Sequence, residues 1–240
     1  MPGWGKWLWS GLGWAVYGPI GGILGFALGA LSDQERGTLK GGTYAHTRPG
    51  DFGVSLLVLL AAVMRAVEPV RKSELAYVKQ FLVQSFGADP AQERMLLLKD
   101  ILQQSYPLRD VCRQIRRNMD HPSRLELLHL LFGLAAADGH IDPAESHIIG
   151  EMGGYLGISR ADYQSIKAMF IKDATSAYLI LEVDAHADQS VVKKAYRQMA
   201  NKYHPDKVSH LGKEFLAVAE EKFRAINDAY QQIRQERGWA

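Results

Sequence analysis

Only one cysteine, Cys112, occurs in 240 residues, which excludes an intramolecular disulfide and any zinc site built on several cysteines. That scarcity suits a reducing compartment. A surplus of one charge is missing too. Lys and Arg total 28 against 26 Asp and Glu, a net charge of +2, so no overall field points to nucleic acid. No window alternates apolar and polar residues as a half-buried strand would, and no Walker-type glycine loop offers a phosphate site. What the chain does have is an ordinary globular share of apolar residues, 47%, which excludes a wholly disordered protein. The average hides an asymmetry, because 12 of the 23 glycines and four of the five tryptophans lie in the first 42 residues.

Residues 7–31, WLWSGLGWAVYGPIGGILGFALGAL, carry no charge. As a helix at about 1.5 Å per residue they reach roughly 37 Å, enough to cross a hydrocarbon core of about 30 Å with some tilt. Trp4, Trp7, Trp9 and Trp14 crowd one end, where indoles favour the headgroup region. Two alternatives stand beside this reading. A cleaved signal peptide is opposed by the length of the run and by the lack of a small-x-small site ahead of Asp33. A soluble hairpin broken at Pro19 is the other. Residues 1–31 are therefore expected to be a single-pass anchor in contact with membrane lipid. Lys6 precedes the run whereas Arg36, Lys40 and Arg48 follow it, a bias that places the bulk of the chain in the cytoplasm. Gly21, Gly25 and Gly29 recur every fourth residue and form a bare stripe on which a second copy's helix could pack, making a homodimer. The alternative is that these glycines are merely tolerated in lipid.

Residues 32–50 hold four glycines and no periodic apolar pattern, the mark of a linker. From 51 to 172 the pattern is helical, and six or seven helices are expected in an all-α bundle. FGVSLLVLLAAVM is apolar all round, as a central helix would be. Asp89-Pro90-Ala91-Gln92 and Asp142-Pro143-Ala144-Glu145 both read as an N-cap, a proline at the first helical position and a reciprocal cap. Ser159 reads as a weaker cap of the same kind. Gly87 and Gly139 mark helix stops, and Pro107 and Pro122 open two more segments.

A faint repeat joins AVEPVRKSE at Ala66 to ADGHIDPAE at Ala137. Asp138, Asp142 and Glu145 of the second copy, near His140, offer ligands to a hard cation. The same residues also serve to stop one helix and cap the next. The capping reading is preferred, because the spacing departs from an EF-hand loop and the first copy lacks both aspartates. The Asp-Gly turn, the downstream glutamate and the duplicated helical pairs resemble the TerB-like helical module. That module is associated with tellurite resistance and, in some members, with metal binding.

The last seventy residues are patterned more sharply. A short helix is expected from Ser176 through most of AYLILEV, which ends at Val183, and then a turn with Asp184 and His186. A helix from Asp188 to Tyr203 follows, with Val192, Ala195, Tyr196, Met199 and Tyr203 on one face. Lys193, Lys194, Arg197, Asn201 and Lys202 fall on the other. A second helix, Lys213 to Gln232, places Leu216, Ala219, Phe223, Ile226 and Tyr230 at three- and four-residue steps, so the two should pair as an antiparallel hairpin. The loop between them opens with His204-Pro205-Asp206-Lys207. Pro205 lacks a backbone donor and stiffens the loop, and Asp206 can accept charge-assisted hydrogen bonds from a partner's arginine.

AYLILEV, VVKKAYRQMANKYHPDK and EKFRAINDAYQQI together resemble the J-domain of DnaJ-type co-chaperones. The order of anchor, TerB-like bundle (51–172) and J-domain (173–240) is similar to membrane-anchored DnaJ-like co-chaperones, as are Trp4-Gly5-Lys6 and the stretch from Pro107 to Glu145. The resemblance implies a DnaK-type ATPase chaperone as partner, bound through His204, Pro205, Asp206, Lys207, Lys193, Lys194 and Arg197 and stimulated in its hydrolysis. It implies a bacterial inner-membrane location and a protein that is not itself an enzyme and needs no cofactor. No glycine/phenylalanine-rich segment and no paired cysteines follow, so independent holding of clients is not expected. Two other function classes are weighed against this. One is a metal- or stress-sensing TerB-like module with the J-domain as accessory. The other, nucleic-acid binding, is set aside because the basic face lacks an aromatic stacking platform.

Overall fold

A helix that is apolar all round needs cover on every side. The computed structural model describes residues 18–23, 25, 52–171, 173, 175–211 and 213–239. In it FGVSLLVLLAAVM forms α1 (Phe52–Met64), with Leu56 through Leu60 buried. Every regular element among the described residues is a helix, so the all-α expectation holds. Most of the expected anchor, including Gly29, and the linker 32–50 lie outside the described residues. Residues 18–23 are helical, with Gly21 and Gly25 buried. Among the described residues no helix is long and apolar enough to cross a membrane.

Contacts divide the chain into two compact units that meet between Met119 and Asp120. The first holds α1, α2 (Lys72–Phe86), α3 (Ala88–Leu102) and α4 (Leu108–Asn118). α3 packs against both α1 and α2. Tyr106, just before α4, donates its hydroxyl proton to the Val58 carbonyl at 2.8 Å and so ties the connecting segment to the central helix. One expected boundary is corrected. Asp89 is not the N-cap of α3, because the helix begins at Ala88 and Gly87 serves both as the stop of α2 and as the cap of α3. Gly87 has φ of 83°, where only glycine is unstrained, and its N–H donates to Val83 O at 2.9 Å. Pro90 then falls in the first turn, where a missing N–H costs nothing.

The second unit holds α5 (His121–Ala135), α6 (Pro143–Tyr155), α7 (Arg160–Phe170), α8 (Ser176–Ile180), α9 (Gln189–Lys202), a 3-10 turn (Pro205–Leu211) and α10 (Lys213–Glu236). Among the described residues seven helices, α1 to α7, fall between 51 and 172, four in the first unit and three in the second. α5 is buried over almost its whole length and packs against α6 and α7. Its N-cap is Asp120, which accepts the Ser123 N–H at 2.9 Å. Ser159 caps α7 in the same way.

The internal repeat is real at the level of hydrogen bonds. Glu145 Oε2 accepts the Asp142 N–H at 3.0 Å, and Glu74 Oε2 accepts the Arg71 N–H at 2.7 Å. Both glutamates are buried, each at the third position of its helix. Asp142 Oδ1 completes the second cap by accepting from Ala144 at 2.8 Å.

α8 begins at Ser176 as expected and takes in four of the seven residues of AYLILEV, stopping at Ile180. Glu182 adopts φ of 55°, and the Val183 and Glu182 N–H groups turn back to Tyr178 O and Leu179 O at 3.0 and 3.1 Å. This crossed pair of bonds is the signature of a helix closed by a left-handed residue. A non-glycine residue there is mildly strained, and Glu182 has a charged partner, described next.

Candidate functional site

The exposed tripeptide lies between α9 and α10, two helices that pair as expected. Val192, Ala195, Met199 and Tyr203 are buried, while Lys193, Lys194 and Arg197 are exposed on α9. Tyr196 stacks on Tyr230 with ring centres 4.3 Å apart and donates to Asn227 Oδ1 at 2.8 Å, joining the two helices. The expected stripe of α10 is only partly right. Ala219 and Ile226 are buried, but Leu216, Phe223 and Tyr230 are half-buried, and Phe215, Lys222, Ala229 and Ile233 are buried in addition. The cause is that α10 is enclosed by α8, α9, the 3-10 turn and α5, so its covered arc is wider than a two-helix hairpin needs.

The tripeptide itself faces outward. The Asp206 side chain is 88% exposed and that of His204 48%. The Asp206 N–H donates to His204 Nδ1 at 3.3 Å, and the His204 ring stands edge-on to Phe223 at 5.8 Å. Lys207, also exposed, donates its N–H to His204 O at 2.9 Å, and the Ser209 hydroxyl donates to Asp206 O at 3.0 Å. Val208 is buried and pins the turn from below. The loop is therefore held by short-range bonds of its own, and the Asp206 carboxylate, 3.4 Å from His204 Nδ1, stays open to solvent.

Behind the loop lies a polar layer. Lys202, expected on the exposed basic face, turns inward and pairs with Asp162 of α7 and, at 2.9 Å, with Glu182. Tyr203 is buried, with its hydroxyl 3.4 Å from Asp162 Oδ1. Burial by itself would push the Asp162 carboxyl up, but the Lys202 ammonium and the Ser159 hydroxyl outweigh it and hold the group below its ordinary value. Lys202 shows the matching shift: burial opposes its charge, yet the two carboxylates raise it. Burial also drives the Tyr203 hydroxyl well up, so it stays protonated and can donate to Asp162.

A second pair is enclosed more deeply. Lys222 of α10 meets Glu126 of α5 with side chains 1% and 3% exposed. Burial pushes Glu126 up and Lys222 down, each toward its neutral form, and the mutual attraction offsets part of that. His129, one turn along α5, is held far below its usual range by burial, with the Lys222 charge adding to it. On the far side of the loop, His210 Nε2 lies 3.1 Å from Ser123 Oγ and 3.5 Å from Asp120 Oδ2.

Sequence reasoning missed Glu126, His129, Asp162 and Lys222. Three of them had left a signal. Glu126 and His129 interrupt an otherwise apolar α5 at a three-residue step, and Lys222 stands between Ala219 and Ile226 on the stripe. At the other candidate cluster, Asp142 and Glu145 are engaged as caps and Asp138 Oδ1 accepts the His140 N–H at 3.0 Å. Among the described residues no three His, Cys, Asp or Glu side chains come together as metal ligands.

Comparison with known proteins agrees with this geometry. Residues 54–168 match the family model described as tellurite resistance protein TerB, and residues 176–238 match the DnaJ domain. Co-chaperone protein DjlA of Pasteurella multocida is 28% identical, with 98% of each chain covered. Proteins of the same name from Haemophilus influenzae and Yersinia pseudotuberculosis are 25% and 24% identical, over 95% and 98% of this chain and 96% and 99% of theirs. No solved structure matches. The chain thus matches a TerB domain followed by a DnaJ domain, and over nearly its whole length it is similar to co-chaperone protein DjlA.

Proposed function

We propose that this chain is a membrane-anchored co-chaperone that recruits a DnaK-type ATPase and raises its rate of hydrolysis through His204-Pro205-Asp206. The observation that carries the reading is the contrast at the loop: Tyr203 is buried and anchored, while three residues later the Asp206 carboxylate is 88% exposed. An anion presented on a stiff turn can accept charge-assisted hydrogen bonds from a partner's arginine. The exposed Lys193, Lys194 and Arg197 supply steering toward an acidic surface, with Lys207 beside the anion. In this reading the hydrolysis belongs to the partner, and the chain contributes binding and positioning without a cofactor. Residues 7–31 would hold the chain at the inner membrane with its bulk in the cytoplasm, and the stripe of Gly21, Gly25 and Gly29 would let two copies associate.

The test is steady-state ATP hydrolysis by a DnaK-type chaperone, titrated with the full chain and with Asp206→Asn and His204→Gln. Both variants should keep the circular dichroism of the wild type and lose the stimulation. For Asp206→Asn the lost charged hydrogen bond is worth roughly 1.5–3 kcal/mol. A fully stimulating Asp206→Asn chain would refute the reading.

A further inference from the structure

The two residues that enter the tripeptide are tied to a residue from outside the DnaJ match. Lys202 and Tyr203 are the last two residues before His204, and both end on the same carboxylate. That carboxylate is Asp162 of α7, which lies inside the TerB match, eight residues before α7 ends at Phe170. Asp162 is itself fixed: its N–H donates to Ser159 Oγ at 3.1 Å, and the Ser159 hydroxyl donates to Asp162 Oδ2 at 2.8 Å. Its side chain is only 5% exposed, whereas that of Lys202 is 31% exposed, so the pair is reached by solvent from the lysine side alone. Glu182 completes the clamp from the start of the DnaJ match, turned toward Lys202 by its left-handed backbone.

We propose that Asp162 is a positioning residue for the His-Pro-Asp loop, so that the helical bundle sets the pose in which His204 and Asp206 meet the partner. The proposal rests on the co-chaperone reading above, but its geometry does not. A rigid mount matters here because the loop acts by fitting one geometry, and a displacement of about 1 Å at a coupling site is enough to lose most of an effect. The exposed charges of α9 take no part in the clamp. Encounter and coupling are therefore carried by different residues.

Two measurements on the full chain test it. In partner ATPase titrations, Asp162→Asn and Lys202→Met should each lower the maximal stimulation by about fivefold or more while leaving the half-saturating concentration nearly unchanged. The double variant should lose clearly less than the two single losses combined, since both remove the Asp162–Lys202 contact. Lys193→Glu should behave in the opposite way, raising the half-saturating concentration with the maximum retained. The second measurement needs no partner. Hydrogen exchange at the Asp206 and Lys207 amides should quicken in Asp162→Asn by about tenfold more than exchange at the amides of α5 and the middle of α10. Uniformly faster exchange across the unit would mean a general loss of stability and would overturn the positioning role, as would unchanged loop exchange. Wild-type stimulation by Asp162→Asn beside an inactive Asp206→Asn chain would overturn this proposal alone. Wild-type stimulation by Asp206→Asn would instead remove the co-chaperone reading.

Discussion

Removing Lys222 should damage the protein far more than removing an ordinary surface lysine. Its ammonium and the Glu126 carboxylate are almost wholly enclosed between α10 and α5, and Glu126 Oε2 makes no hydrogen bond to the described residues. Lys222→Met keeps the length of the side chain but leaves Glu126 as an uncompensated buried charge. Breaking a buried pair from one side costs about 3–5 kcal/mol. For a unit of this size that corresponds to a fall of roughly 10–20 °C in melting temperature. Replacing both partners, as Glu126→Leu with Lys222→Met, removes the two desolvation costs together and should return stability to the wild-type level or exceed it by about 1–4 kcal/mol. The coupling read from the four-protein cycle by urea denaturation should therefore be about 3 kcal/mol or more. The pH dependence has a definite sign. In Lys222→Met the Glu126 carboxyl is raised further above its unfolded value, so the folded state binds the proton more readily and stability recovers as pH falls through the raised value. A Lys222→Met chain that melts with the wild type would refute the enclosure, and so would a double variant as unstable as the sum of its singles.

Asp162 should titrate with the opposite sign: its depressed value means that its contribution is complete above about 4, ordinary Asp lying at 3.8, and is lost as pH falls through the lower folded value. Acid-denaturation curves of wild type and Asp162→Asn should therefore differ by about 1–2 kcal/mol near neutrality and converge below that range. Asp142→Ala should cost about 0.5–2 kcal/mol through loss of a helix cap. The loss should be the same with or without a chelator, and a chelator that destabilises the wild type by a similar amount would favour the metal reading instead. Alkaline carbonate extraction should leave the full chain in the membrane pellet and release a version beginning at Asp51. Gly25→Leu should weaken self-association in a bilayer.

What could be read in advance divides by the range of the forces involved. Caps at Asp142, Ser159 and Glu145 depend on three or four consecutive residues, and they form where the residue types place them. The tripeptide between two amphipathic helices is equally local. The failures come where a third element intervenes. Lys202 leaves the basic face because a carboxylate from α7, forty residues earlier, sits within reach. The stripe on α10 widens because α5 and α8 cover what a lone hairpin would leave wet. Asp89 failed for the reverse reason: a single glycine could end one helix and begin the next, leaving no room for a separate cap.

The division between Met119 and Asp120 changes how the molecule can be taken apart. It falls inside the stretch that matches TerB, so family boundaries and physical boundaries do not coincide. A cut at residue 172, made to remove the DnaJ match, would strip α5 and α7 of their cover and leave Glu126, His129 and Asp162 without the lysines that face them. A chimera carrying another protein's J-domain would meet the same fault unless it also brought matching charges for α5 and α7. Grafting at residue 120 instead would move the loop together with its mount. The transferable piece is the half-bundle and hairpin as one, and a protease that nicks the chain between residues 52 and 239 should find the α4–α5 junction before it finds the junction between the two matched families.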